Sequence, residues 1–303
     1  MTETDPIVKP RQSIFDKAAG LEIVRGWPQT SKSITTQVLN SSADPTWIHS
    51  SKDTLKCREL KMLTNWDATI TTFLQSRCIV FPLRRGFWLI PKDFFDEVEA
   101  RLVAHVNGMQ PLIDAFIARY DDIVKECMRS LKDQANPGDY LSKEQVRGRF
   151  VFKWKYINYG VSGLVQEINK GIAKREADKI RAESIEAAEA IRIMMRKNFQ
   201  ELVDHLFQSL TPDESGKRKT IKKGTFDPLS DFIYTFPAKN NVAEDEQLLA
   251  LVNQAKALAA GIAPEAVRTN EELSAKLREG FTKLKAEVDT LVVEAPSRKL
   301  ILD

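Results

Sequence analysis

AKREADKIRAESIEAAEAIRIMMRKNFQELVDHLFQSL, residues 173–210, is the stretch on which the reading of the fold turns. Its first half is dense in charge and alanine, the composition of a helix that is solvated or paired in a coiled coil. Its second half sharpens into an apolar stripe, with Ala188, Ile191, Met195, Phe199, Leu202, Leu206 and Leu210 recurring at helical spacing. The helical pattern begins after Gly163 and meets no obvious stop before Thr211 and Pro212. One continuous helix of up to about 45 residues is therefore expected, on the order of 65 Å long at 1.5 Å per residue. That exceeds what a compact domain needs, so the expected molecule is elongated. The stripe then has two readings, core within one chain or seam between chains. Met195, Phe199 and Leu202 are its candidate partner contacts.

Upstream, CIVFPLRRGFWLIPKDFFDEVEARL (78–102) sets two short β-favouring runs around a turn at 82–86. This predicts a β-hairpin over 79–90 with Arg84 and Arg85 at its tip, both candidate partner contacts. After it, Phe95, Leu102, Met109, Phe116 and Ile123 recur every seven residues, the mark of a long helix against which the hairpin's aromatics are expected to pack. Gly108 and Pro111 predict a kink or break, since proline removes an amide donor and crowds the preceding turn. A helix is also expected from about Ser51, carrying Leu60, Leu63, Trp66, Ile70 and Leu74, with Asp53 helping to cap it.

Residues 1–20 read as a mobile tail, and LEIVRGWPQTSKSITTQVL, from Leu21, as irregular chain with one strand at most. RGRFVFKWKY (147–156) alternates aromatics with other residues at period two, a half-buried strand over 149–157. In the C-terminal part, EDEQLLALVNQAKALAAG has acids at its start and Gly261 as its stop. The next helix has Thr269 and Glu272 at capping-box spacing. The final RKLILD is expected to add a strand or dock in a groove.

Composition excludes little. Across 303 residues, 45 Lys+Arg against 42 Asp+Glu leave +3, too weak a field to argue for nucleic acid or membrane without a local patch. Three cysteines show no close pairing, which suits a reducing cytoplasm. The first residues lack the apolar core of a secretory signal, and no apolar run approaches a membrane span. A soluble, cytoplasmic protein is expected.

Chemistry is harder to find. His49, His105 and His205 are scattered and no His or Cys pair has zinc-ligand spacing, so no metal is expected and His105 reads as a packed core histidine. SGKRKT lacks the glycine and the hydroxyl that a phosphate loop needs, because Thr211 and Arg218 stand in those places. Neither a catalytic residue nor a cofactor site is assigned. Single-stranded nucleic acid is the alternative partner: Trp154 and Tyr156 interleave with Lys153 and Lys155, and Lys217, Arg218 and Lys219 make a second basic spot. Against that, Arg149 occupies a position that the common RNA-binding strand motif gives to an aromatic. An edge strand with aromatics inward and lysines outward has the same pattern.

Taken in order, LEIVRGWPQTSK, CIVFPLRRGFWLIPKDFFDEVEARL, FIARYDDIV, RGRFVFKWKY, SGKRKTIKKGTFDPLSDFIYTF with the following NNV, and SRKLILD resemble a family of bacterial and bacteriophage proteins of unassigned function. Its genes commonly sit beside a MoxR-type AAA+ ATPase and a von Willebrand factor A protein. The resemblance implies an accessory or adaptor for an AAA+ machine, or an assembly component of a phage or mobile element; it carries no catalytic residues with it.

The expectation is a mainly α protein with a small β portion: an elongated helical bundle with a long central helix, one hairpin and an extra strand. Its parts are a tail over 1–20, a helical region with the hairpin and aromatic strand over 21–160, and the long helix, basic turn and C-terminal helical pair over 161–303. The expected function is a non-enzymatic scaffold or adaptor that binds other proteins and forms a homo-oligomer.

Overall fold

The computed structural model describes residues 13–34, 50–212, 221, 224–262 and 264–293. It is mainly α with a small β portion. Among the described residues there are ten α-helices, a four-stranded sheet in the order β4 (Ile79–Val80), β5 (Phe87–Pro91), β1 (Ala18–Gly26), β6 (Val151–Ile157), and a two-stranded sheet of β2 (Ser31–Ile34) and β3 (Ser50–Asp53). The chain divides into two compact units, one drawn from Met1–Leu21, Gln75–Phe95 and Tyr156–Asp303 and the other from Glu22–Leu74 and Asp96–Lys155. Each unit gathers segments far apart in sequence.

The first unit begins with α1 (Ile14–Lys17), capped by Ser13, whose side chain accepts from Phe15 N at 3.3 Å. Strand β1 (Ala18–Gly26) follows directly. Of the tail expected over 1–20, residues 13–20 are ordered, with Ile14 and Ala18 buried in the unit's core, and residues 1–12 lie outside the described residues. The hairpin forms as expected from β4 (Ile79–Val80) and β5 (Phe87–Pro91), with Ile79 opposite Leu89 and Val80 opposite Trp88. Gly86 supplies the left-handed turn at φ 77°. Its aromatics are in a core, but not that of the helix that follows them. Phe81 and Phe87 pack edge to face at 5.4 Å, and Phe87 meets Tyr159 at the same distance, within the first unit.

The long helical stretch divides. A short α5 (Gly163–Ile168) ends at Asn169, whose backbone is extended at φ −151° and ψ 102°. The Asn169 side chain then accepts from Ile172 N at 3.0 Å and starts α6 (Lys170–Leu210), 41 residues long. Around the second half of α6 pack α7 (Asp227–Ala243), α8 (Glu246–Ala259), α9 (Pro264–Thr269) and α10 (Glu271–Val293). Helix α10 runs antiparallel to α6: Lys285 bonds Asp204 at 2.5 Å, and Asp289 accepts from Gln200 at 2.6 Å. The cap of α10 is Asn270, which accepts from Leu273 N at 3.1 Å; Thr269 instead donates to Glu265 O.

The second unit packs α2 (Arg58–Arg77) and α3 (Phe95–Leu131) with α4 (Lys143–Arg147), β2 (Ser31–Ile34), β3 (Ser50–Asp53) and β6 (Val151–Ile157), the ends of α2, α3 and β6 passing into the first. Its core holds Leu60, Leu63, Met109, Phe116, Tyr120 and Ile123. Helix α2 starts at Arg58, where Cys57 Sγ accepts from Leu60 N at 3.5 Å, so Asp53 is not its cap. Helix α3 runs through Gly108 and Pro111 without the expected break. Pro111 and Asn107 both face solvent, so the carbonyl that proline leaves without a donor can be hydrated. Gly108 is there for packing: a Cβ would lie 2.3 Å from the Trp66 ring. That closeness lets Trp66 Nε1 donate to His105 O at 3.0 Å.

Candidate functional site

Strand β6 is an edge of its sheet. Within the second unit its aromatics turn toward α3: Phe150 meets Phe116 at 5.6 Å, Phe152 meets the His105 ring at 4.5 Å, and Trp154 Nε1 donates to Glu99 Oε2 at 3.0 Å. Tyr156, in the first unit, packs on Phe95 at 4.9 Å. Lys153 and Lys155 are exposed, and Lys155 pairs with Glu22 at 2.6 Å. Aromatics inward and lysines outward is the edge-protecting arrangement, and it leaves Phe152 and Trp154 engaged by α3. Lys217, Arg218 and Lys219 lie outside the described residues, as does the SRKLILD segment.

The partner-contact candidates separate. Arg84 and Arg85 are exposed at the hairpin tip, with the Arg84 guanidinium 5.5 Å from the Phe87 ring. Met195 and Phe199 are buried in the first unit's own core and Leu202 packs against it, so that part of the stripe closes within one chain.

What stays uncovered is the other part of the same stretch. No residue of 170–183 is buried. Apolar side chains stand in solvent around it: Leu164 is 64 % exposed, Ile168 74 %, Ile172 39 % and Ile185 68 %. Leu164 and Ile168 stand one turn apart on α5, and Ile172 and Ile185 on α6; adjoining solvated apolar groups mark a contact surface more often than isolated ones do.

Sequence reading missed a polar cluster inside the second unit. His105 is fully buried, as expected, but neither ring nitrogen has a hydrogen-bond partner. Its Nε2 lies 3.6 Å from Asp67 Oδ1, which is also unpartnered. Asp67 Oδ2 is 3.4 Å from Arg25 Nη1, and Arg25 Nη2 donates to Thr71 at 2.9 Å. Trp66 lies parallel to the imidazole at 5.8 Å. At the start of α2, burial pushes the Cys57 thiol above its ordinary range, so this cysteine is held as a thiol.

The first unit has a cleft of about 430 Å³ lined by Phe15, Lys17, Lys92, Phe95, Tyr156 and Tyr159 among others. Its rings already contact one another: Phe15 stacks on Tyr159 at 4.4 Å. Asp16, also on the wall, accepts from Ser13 N at 3.0 Å to close α1's capping box, while Lys17 pairs with Glu244. Among the described residues no group of His, Cys, Asp and Glu could hold a metal ion, and no helix is long and apolar enough to cross a membrane.

No family model, curated protein or solved structure matches the chain. The reading of function rests on these residues.

Proposed function

We propose that the protein is a non-enzymatic scaffold or adaptor that acts through protein–protein contacts and self-associates. The observation that carries this reading is the uncovered 170–183 stretch of α6 with Leu164, Ile168, Ile172 and Ile185 exposed beside it. Leaving such side chains in water forgoes roughly 1.5–3 kcal/mol per large aliphatic side chain that burial against a partner recovers. The charge of the stretch keeps it soluble while unpaired. The resemblance to proteins encoded beside MoxR-type ATPases adds an AAA+ ATPase, and a von Willebrand factor A protein, as the partners this surface serves. Cys57, Cys78 and Cys127 form no disulfide, and Cys78 and Cys127 are buried, which accords with a cytoplasmic setting.

Light scattering on a sizing column at micromolar concentration tests self-association. The expected mass exceeds one chain and falls to it when Ile168→Lys and Ile185→Lys are introduced together; a strict monomer at every concentration sinks it. Copurification with a MoxR-type ATPase tests the adaptor role. Single-strand binding has less to stand on, because Phe152 and Trp154 are engaged by α3.

A further inference from the structure

The cleft of the first unit is lined in part by Ala18, Ala19 and Gly20, three small residues in a row at the start of β1, where strands more commonly carry branched or aromatic side chains. Gly20 is required by packing, since a Cβ there would lie 2.4 Å from the Phe87 ring and 2.6 Å from Ile157 O, and Ala18 is buried in the core. Ala19 between them is half-buried on the cleft, and its short side chain keeps the volume of about 430 Å³ open. That volume is in the range of small-molecule sites, roughly 300–1,000 Å³. Two ring pairs line it: Phe15 stacked on Tyr159 at 4.4 Å, and Phe95 with Tyr156 at 4.9 Å. The polar groups of the cleft differ in their commitments. Lys17 pairs with Glu244, and Asp16 accepts from Ser13 N at 3.0 Å. Lys92 is exposed, and among the described residues its ammonium has neither an ion pair nor a hydrogen bond; the Asn158 side-chain amide is likewise unengaged.

We propose that this cleft binds a small aromatic carboxylate, its planar ring system against the two ring pairs and its carboxylate on Lys92, with the Asn158 amide as a second donor. A planar ligand suits these walls because ring contacts, stacked or edge to face, are made between flat partners. One uncommitted cation matches one negative charge, and a hydrogen bond between ammonium and carboxylate is stronger than one between neutral groups. A nucleotide phosphate brings further charge to a wall that already carries the Asp16 carboxylate, and Lys17 is taken by Glu244. An aromatic amine would set a second cation beside Lys92. None of the lining residues belongs to α6, so the site stands apart from the uncovered 170–183 stretch and does not depend on self-association.

The test titrates the full chain, labelled with 13C at alanine and isoleucine methyls, with indole-3-acetate as the probe and with tryptamine and AMP as charge comparators. Saturable binding of one indole-3-acetate per chain is expected, with methyl shifts centred on Ala18, Ala19, Ile90 and Ile157, which line the cleft. Tryptamine and AMP should each bind roughly ten-fold more weakly. Lys92→Gln, at an exposed position, should weaken indole-3-acetate roughly five-fold, while Lys153→Gln leaves it unchanged. Ala19→Leu, which fills the floor, should abolish binding. Absence of saturable binding overturns the proposal, as does binding that shifts only other methyls, that ignores Lys92→Gln, or that tryptamine or AMP equals. Lys92→Gln and the methyl map decide the matter even where Ala19→Leu fails to fold.

Discussion

Arg196 on α6 grips Asp245 with two hydrogen bonds, Nε to Oδ2 at 2.7 Å and Nη2 to Oδ1 at 3.0 Å. The Asp245 side chain is 1 % exposed and also caps α8, its Oδ1 accepting from Leu248 N at 3.0 Å. Asn240 of α7 accepts from Asp245 N at 2.9 Å, and Arg192 donates to Ala243 O at 2.7 Å. Two arginines one turn apart thus hold the α7–α8 corner on α6, across a connection in which Glu244 takes the left-handed conformation at φ 54°. Arg196→Ala should lower unfolding free energy in urea by about 3–5 kcal/mol, since it strands a buried carboxylate. Asp245→Asn keeps the capping oxygen and removes the charge, so it should lose only on the order of 1–2 kcal/mol. A loss below about 1 kcal/mol for Arg196→Ala would mean that water reaches the carboxylate.

His105 should behave in the opposite way. Each buried polar atom left without a partner costs about 1–3 kcal/mol, and this ring has two of them. His105→Leu removes both while filling the space beside Trp66 and Phe152. Stability in urea is expected to hold or to rise by about 1 kcal/mol, where Leu102→Ala on the same helix should lose about 2–5 kcal/mol. A drop beyond about 2 kcal/mol in His105→Leu would show that the imidazole is satisfied in solution and contributes to the fold.

Lys239 gives the protein a pH response of known sign. Its folded value of about 8 is below the ordinary 10.5, so between them the unfolded chain binds the proton that the folded chain has released. Stability contributed by this group therefore rises with pH across that window, by an amount on the order of 2 kcal/mol. Melting curves from pH about 8 to 10 should show the unsubstituted chain gaining on Lys239→Met, whose curve lacks the rise. Parallel curves would place the amine in water.

Several elements were legible because their signals are local. The 79–90 hairpin needs a glycine at positive φ between two β-favouring runs, and Gly86 provides it at 77°. The α8 helix shows acids before an apolar stripe, and α10 carries its buried Leu277, Phe281, Leu284, Val288 and Leu291 at helical spacing. Others depended on distant partners. Strand β1 looked like tail and loop because Ala18 to Gly26 offers small side chains and little alternation; what makes it a strand is its place between β5 and β6. The unbroken α3 depends on Pro111 and Asn107 falling on the solvent side of the helix, which no local pattern around the proline states. Asn169 was overlooked as a helix start, although its amide is the kind of side chain that caps one.

By itself the amino-acid order determined that this chain is chiefly helical, that 79–90 turns back on itself, and that 173–210 changes character midway. Periodicity and turn chemistry act over a few residues and need no partner to be read. Only the tertiary structure decided which half of that stretch is covered: Met195 and Phe199 lie in a core shared with α7, α8 and α10, while no residue of 170–183 is buried. It likewise decided that Asp67 stands beside His105 and that Lys239 has no acid of its own. Burial and charge pairing depend on which segments fold against each other, and an apolar stripe looks the same whether its neighbour is the chain itself, another molecule or solvent.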